Sequence, residues 1–175
     1  MRTFVARRLS LVPAVSAIAA WACLAGCSAD NSSTGPGIVF DACAPLSLQL
    51  DQGDTADQMQ AIASAIDLWN SRAGTRLSIV NGAVTGSPGM VPLHFQAAAA
   101  PFHGLYDPTT GQVFINDDLV DHQRVVTIAH EVGHVMGLVH ISPDQRASVM
   151  NPGNLDVEPT AADVGALSAL WGACR

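Results

Sequence analysis

The stretch HEVGHVMGLVH, residues 130–140, spaces three histidines so that one metal ion could bind all of them. His130 and His134 are four residues apart, and on a helix such residues leave from the same side, with their origins about 6 Å apart. Glu131 is adjacent to the first histidine, so its carboxylate projects toward the same cleft without occupying the histidines' row. This spacing predicts a helix that presents two metal ligands and one general base.

A glycine and a third histidine complete the pattern. Gly137 permits a sharp left-handed turn out of the helix, and this turn is expected to bring His140 back as a third nitrogen ligand. Three imidazoles on zinc leave the fourth position open to water, which is typical of a catalytic site rather than a closed structural one. Other divalent ions also fit three imidazoles, so zinc is inferred from ligand type. The five fixed positions would arise by chance with a probability on the order of 10⁻⁵, so the signal is specific.

Residues 121–137 are predicted to form the helix that carries this pattern. Its buried stripe is expected to contain four residues: Val125, Ala129, Val132 and Met136. Asp121 is a candidate cap for the start of the helix, and Asp117 and Asp118 lie just before it, where the helix dipole favours negative charge. These three carboxylates allow two interpretations. We favour capping and solvation, and the alternative is a calcium site.

The rest of the chain from residue 41 alternates short strands with two further helices. Apolar and alternating runs predict five strands, at 46–50, 77–80, 91–95, 105–106 and 113–116. The turn chemistry of residues 107–111 joins the fourth strand to the fifth as a hairpin. The predicted fold class is therefore α+β, a twisted mixed sheet of about five strands with three main helices in one domain, residues 41–175.

Capping signals mark the two helices that flank the central one. Thr55 and Gln58 form a capping box, and Gly74 suits the exit of the first helix. Its buried face is predicted to carry Met59, Ile62, Ile66 and Trp69. Thr160 is a suitable N-cap for the last helix. The stripe predicted to be buried there consists of Val164, Leu167 and Trp171.

The first residues have the pattern of an export signal. Arginines precede a long apolar run that ends in Leu-Ala-Gly before Cys27, so residues 1–26 are predicted to be a signal peptide. The position of Cys27 resembles the lipobox of bacterial lipoproteins, which implies lipidation of this cysteine and attachment to the cell envelope. By the same resemblance, Ser28 favours the outer membrane. The alternative is a secreted protein cleaved near Ala29. Residues 28–37 are small, polar and rich in glycine and proline, and residues 27–40 are predicted to be a flexible tether.

The charge of the chain excludes one class of partner. The 175 residues contain eight arginines, no lysine and 15 acidic residues, for a formal net charge of −7. Three arginines and none of the acidic residues lie in residues 1–26, so the chain from Cys27 onward carries −10. A nucleic-acid-binding protein needs a basic face, so we expect no nucleic-acid partner.

Two of the four cysteines are left once the signal and the lipid site are assigned. Cys43 and Cys174 remain, and in an exported protein we expect them to form a disulfide. Such a bridge would connect the start of the first strand to the last residues of the chain. The loop-entropy model assigns it roughly 4–5 kcal/mol of stabilisation before native-state strain is deducted.

The motif at residues 130–140 resembles the signature of the metzincin metallopeptidases, HExxHxxGxxH followed by a methionine turn. The turn here is SVMNP, residues 148–152. Among metzincins the sequence is most similar to the matrixins, because its last helix is entered through the Pro-Thr-x-x-Asp stretch within residues 158–172. The resemblance covers nearly all of the chain from about residue 44. It implies a metzincin-like catalytic domain in which Met150 lies beneath the metal without ligating it.

The resemblance also implies an activity. It predicts a monomeric zinc endopeptidase in which Glu131 takes a proton from the attacking water and returns it to the leaving amine of a peptide or protein substrate. The substrate is expected to lie extended along a sheet edge. Two alternatives remain open: an inactive zinc-binding surface lipoprotein that acts as an adhesin or assembly module, and a peptidase that processes a single partner. The intact glutamate argues against the first.

Several features depart from the family pattern. Pro152 occupies the position where astacins and serralysins have a tyrosine ligand, so no tyrosine switch is expected there. The loop that binds structural zinc and calcium in animal matrixins has no match. The remaining histidines, His94, His103 and His122, lack ligand spacing, and we expect them to be exposed or hydrogen-bonded.

Overall fold

The computed structural model describes residues 37–51, 53–81 and 89–174. The predicted signal peptide, the lipid site Cys27 and most of the predicted tether lie outside the described residues. Among the helices that are described, none combines the length and the apolar character that a membrane crossing requires.

Five strands form one mixed sheet, and three helices complete the fold. The strands are β1 (Pro45–Leu50), β2 (Arg76–Asn81), β3 (Met90–Gln96), β4 (Gly104–Asp107) and β5 (Gln112–Asn116). The helices are α1 (Ala56–Ala73), α2 (Asp121–Val135) and α3 (Ala161–Trp171). The sheet order is β2-β1-β3-β5-β4, with β4 antiparallel to β5 at one edge and all other pairs parallel. The predicted α+β class is confirmed, with five strands in a mixed sheet and three helices.

Helix α1 forms where its capping signals predict it. The Thr55 side chain accepts a hydrogen bond from the Gln58 backbone, and the Gln58 side chain accepts one from the Thr55 backbone. Gly74 ends the helix in the left-handed conformation, at φ 67°. Trp69 is fully buried, and its indole Nε1 donates to the Ala129 carbonyl of α2 at 2.9 Å. The prediction for Met59 was wrong, because this residue is 38% exposed.

The start of α2 also differs from the prediction. Asp121 does not cap the helix, because the N-cap is Val120 and no side chain caps its first turn. Asp121 is instead the first helical residue, with a positive φ of 48°. The helix contacts α1, β4 and β5, and so lies between the first helix and the edge of the sheet. It ends at Val135, two residues earlier than the hydrophobic pattern predicts.

The predicted hairpin forms the edge of the sheet nearest to α2. Asp107 organises its turn, because its carboxylate accepts hydrogen bonds from the Thr109 backbone and the Thr110 hydroxyl, both at 2.8 Å. These hydrogen bonds hold the pKa of Asp107 below its usual range. Gly111 closes the turn with a positive φ of 71°.

The predicted disulfide is confirmed. Cys43 and Cys174 are bonded, with their Cα atoms 4.9 Å apart. The bond connects the segment before β1 to the segment after α3, and therefore fixes both ends of the described chain to each other. Because the two residues are 131 positions apart, the cross-link removes the freedom of a long loop from the unfolded chain.

The chain just before residue 41 is already in contact with the domain. The Ile38 backbone donates to the Pro108 carbonyl at 2.8 Å, and the Phe40 backbone donates to the Val135 carbonyl at 2.9 Å. The Tyr106 hydroxyl donates to the Ile38 carbonyl. Ordered contacts therefore begin within the stretch that the sequence assigns to the tether.

Tyr106 offers a direct test of this arrangement, since it is the sole tyrosine. Burial, together with the negative charge of Asp107, raises its pKa to about 12. A pKa above the unfolded value of about 10 means that folding favours the neutral phenol. This contribution to stability is complete below pH 10 and is lost as the pH rises through 12.

Spectrophotometric titration of the folded protein should show tyrosinate forming with a midpoint about two pH units above that of the denatured protein. Tyr106→Phe is the control, because it removes the whole signal. A midpoint near 10 in the folded protein would contradict the burial of the Tyr106 hydroxyl.

Candidate metal centre

Helix α2 and the turn after it bring the three predicted histidines together. His130 and His134 lie one turn apart on α2, and their Nε2 atoms are 3.1 Å apart. The Nε2 atom of His140 lies 3.2 Å from that of His130 and 3.1 Å from that of His134. The three nitrogens therefore form a nearly equilateral triangle. Among the described residues, this is the group of histidine, cysteine and acidic side chains that could hold a metal ion.

The turn at Gly137 is the local reason that His140 returns to the helix. Gly137 has a positive φ of 89°, which a residue with a side chain rarely adopts. Its backbone N–H donates to the His134 carbonyl, and the Leu138 N–H donates to the Gly133 carbonyl, both at 2.9 Å. This pair of hydrogen bonds is a Schellman motif, which satisfies the last carbonyls of the helix. The left-handed turn predicted at Gly137 is confirmed.

Backbone carbonyls fix the tautomers of two of the histidines. The His130 Nδ1 is 2.6 Å from the Val149 carbonyl, and the His134 Nδ1 is 2.8 Å from the Leu138 carbonyl. A carbonyl can only accept, so each Nδ1 carries the hydrogen and each Nε2 presents its lone pair. Burial lowers the pKa of His130 to about 3 and that of His134 to about 4. Both rings are therefore neutral at pH 7, as a metal ligand must be.

The triangle fits a small divalent ion. Lone pairs that converge at 3.1 Å without a hydrogen between them repel, and a cation removes that repulsion. Tetrahedral zinc with nitrogen ligands at 2.0–2.1 Å requires ligand separations of about 3.3 Å, close to those observed here. Burial also lowers the pKa of His140, so all three rings favour the neutral form. The three nitrogen donors therefore fit zinc, and the identity of the ion is inferred from the type of ligand alone.

A second layer of hydrogen bonds supports the loop beneath the histidines. The carbonyl of Val149 accepts from His130, and the backbone N–H of Val149 donates to the Asp163 carboxylate at 3.1 Å. The Ser148 hydroxyl donates to the other oxygen of Asp163, and in turn accepts from the Met150 backbone at 3.0 Å. Asp163 is 1% exposed and also completes the capping box of α3 with Thr160. One carboxylate thus starts α3 and holds the loop that orients His130.

Met150 packs against α2 at a glycine. Met150 is 1% exposed, and a Cβ added at Gly133 would lie 2.5 Å from its Sδ and 3.3 Å from its Cε. The same Cβ would lie 3.6 Å from the Trp69 ring. Gly133 therefore provides the space that lets the methionine lie against the helix.

Glu131 is buried beside the histidines. It is 2% exposed, and desolvation raises its pKa to about 8, against a smaller opposing effect of a hydrogen bond from the Tyr106 backbone. A neighbouring cation would favour the carboxylate and counteract part of this rise. β4 passes so close that a Cβ at Gly104 would lie 2.8 Å from the Glu131 Oε1. The edge strand therefore forms one wall of the site.

Among the described residues, the acidic residues around the start of α2 do not form a metal site with one another. Asp117 accepts from the Gln58 side chain at 2.6 Å, and the Arg124 guanidinium lies 3.8 Å from its carboxylate. Within the described part of the chain, Asp117, Asp118 and Asp121 do not form a group whose oxygen atoms lie close enough together to bind one metal ion. The structure thus gives no support to calcium at these positions.

Two of the three remaining histidines are hydrogen-bonded, as expected. His94 pairs with Asp51 at 2.7 Å, and His122 contacts the Asp156 carbonyl at 3.2 Å. His103 differs, because it lines a small pocket together with Thr127 and Glu131, and its Nδ1 is buried with no partner. Sequence reasoning missed this position. His103 is 27 residues from the motif, and its only sequence signal is that it directly precedes the edge strand.

Comparison of the sequence with models of protein families and with curated proteins finds no match.

Alanine substitution at two helical glycines tests the packing of Met150. Glycine to alanine in a helix usually stabilises a protein by about 0.5–1 kcal/mol. At Gly165, where a Cβ would meet nothing within 4 Å, we expect that gain. At Gly133 we expect a loss of about 1–3 kcal/mol, because the new methyl overlaps Met150. Urea denaturation measures both. Equal stabilisation by the two substitutions would show that Met150 does not fill this space.

Asp163 and Thr160 form a second matched pair. Asp163→Ala removes the support of the Val149 loop, so zinc affinity should fall about 10- to 100-fold. Thr160→Ala removes the helix cap and leaves the loop bonds in place, so it should cost about 1 kcal/mol of stability with little change in affinity. Competition with a chromophoric chelator measures the zinc dissociation constants. If both variants weaken zinc binding equally, Asp163 acts on α3 alone.

Proposed function

We propose that this protein is a zinc-dependent endopeptidase of the metzincin type, similar to the matrixins. The observation that carries the proposal is the convergence of three neutral imidazole nitrogens beside the buried carboxylate of Glu131. In this proposal His130, His134 and His140 hold the ion. When bound, zinc acts as a Lewis acid that activates water and polarises a carbonyl oxygen.

Glu131 is the general base of the proposed reaction. Its carboxylate takes a proton from the attacking water and gives it to the nitrogen of the leaving amine. Its surroundings favour both transfers: burial raises its proton affinity, and the hydrogen bond from the Tyr106 backbone stabilises its charged form. A site that only stabilises the fold would have no use for a carboxylate buried at this energetic cost. This is the argument for an enzyme over an adhesin or assembly module.

The edge strand offers a place for the substrate. β4 pairs with β5 on one side and ends the sheet on the other. An extended peptide can add to such an edge through main-chain hydrogen bonds, which bind it independently of its sequence. Gly104 at the start of β4 lies against Glu131, so a peptide along this strand would pass the general base.

The cell envelope is the proposed location. The Cys43–Cys174 disulfide supports export, because such bonds persist in oxidising compartments. The lipid anchor at Cys27 and the signal peptide over residues 1–26 belong to this proposal, on the strength of the sequence pattern alone. A secreted form cleaved near Ala29 is the alternative.

The pair of wild type and Glu131→Gln tests the activity. Each protein should bind one zinc per chain, because Glu131 is not a ligand, and zinc content is measured by mass spectrometry. The wild type should cleave casein, lose that activity with a chelator and regain it with zinc. Glu131→Gln should cleave at least about 100-fold more slowly, because it lacks the base.

His134→Ala serves as the metal-free control, and it should lose both zinc and cleavage. Zinc binding by the wild type without cleavage of casein or of a peptide library would favour the binding-module alternative. Activity that survives Glu131→Gln would contradict the proposed mechanism.

A further inference from the structure

A small pocket opens beside Glu131, and most of the side chains that line it are polar. We call it the Glu131 pocket, and it is lined by His103, Thr127, His130, Glu131, Gly153 and Asn154. It leaves room for about one water-sized group. Its residues come from three places: the residue before β4, one face of α2, and the loop that follows Met150.

Two polar atoms of this lining are buried and have no partner. They are the Nδ1 of His103 and the Oγ1 of Thr127, and Thr127 is 2% exposed. Buried polar atoms are almost always hydrogen-bonded, so a pair of unsatisfied atoms around one pocket points to a polar ligand. Asn154 cannot supply these partners, because its amide already donates to Val149 and Val157 and accepts from Asp156.

The location of the pocket determines which part of a substrate would enter it. In the proposed reaction Glu131 transfers its proton to the leaving amine, so that nitrogen must lie against the carboxylate. The side chain of the residue after the cleaved bond is attached one atom further on. The Glu131 pocket is therefore the nearest space for that side chain.

Size and charge restrict what this side chain can be. The Thr127 methyl lies against the Gly104 backbone, where a Cβ would be only 2.8 Å away, so this wall has no room to retreat on the strand side. Long and aromatic side chains are too large for a space of this size. An acidic side chain would meet the carboxylate of Glu131. A hydroxyl can both donate and accept, and so can satisfy the imidazole and the threonine together.

We propose that His103 and Thr127 make this protein selective for serine directly after the cleaved bond. This inference rests on the proposed peptidase function and names its substrate class. The two residues are specificity determinants, and the chemistry of the reaction remains with Glu131 and the metal ligands.

The test begins with the purified wild-type protein and a degenerate peptide library, in which new amino termini are sequenced. Serine should be the most enriched first residue. Peptides that differ only at that residue then give kcat/KM values. Each of the two hydrogen bonds is worth about threefold to tenfold, so we expect the serine peptide to exceed the alanine peptide by at least that factor and the leucine and aspartate peptides by more.

Variants at Thr127 and His103 test whether the preference for serine comes from the Glu131 pocket. Thr127→Val removes the hydroxyl and keeps the shape, so the serine-to-alanine ratio should fall by at least threefold. Thr127→Ser restores a hydroxyl and should restore the ratio. His103→Phe should also lower the ratio. His94→Gln, which changes a histidine outside the pocket, should leave it as in the wild type. Zinc content confirms that each variant keeps its metal.

The outcomes separate the two proposals. Cleavage with no preference for serine, or with leucine preferred, overturns the assignment of the pocket and leaves the peptidase function standing. The same holds if Thr127→Val keeps the wild-type ratio. Absence of any zinc-dependent cleavage overturns the proposed function, and the selectivity that rests on it falls as well.

Discussion

The contact on which the site depends is the hydrogen bond from the His130 Nδ1 to the Val149 carbonyl. It sets the tautomer that turns the Nε2 lone pair toward the other two histidines, and it ties α2 to the loop after them. Asp163 holds that loop from the opposite side by accepting from Val149 and Ser148. Helix α2, the loop after it and the last helix are thus coupled through three hydrogen bonds, so the geometry of the three histidines depends on elements that are distant in sequence.

Much of this arrangement could be predicted because it depends on residues that are close together in the sequence. The spacing of His130 and His134 requires only a helix, and the return of His140 requires only a left-handed conformation at Gly137. The capping boxes that begin at Thr55 and Thr160 each act within a single helical turn. The disulfide followed from elimination among four cysteines. Each of these inferences needs no knowledge of which elements pack together.

The parts that could not be predicted depend on tertiary contacts. Asp163 looks like an ordinary capping residue, and its second role follows from the approach of the Val149 loop. His103 has no motif spacing and reaches Glu131 only because β4 lies at the sheet edge beside α2. Met59 was placed in the core by its helical spacing, yet it is 38% exposed, whereas Trp69 on the same helix is fully buried. Periodicity identifies a face, and packing decides how much of that face is covered.

Three imidazoles of this chain are proposed to bind one zinc ion and to leave one coordination position open. X-ray absorption spectroscopy of the zinc-loaded protein tests it most directly, because it counts the ligands and measures their distances. We expect three imidazole nitrogens at about 2.0–2.1 Å and one further light-atom ligand that is not from a protein side chain. A sulfur ligand at about 2.3 Å, or a fourth protein side chain in the coordination shell, would contradict it.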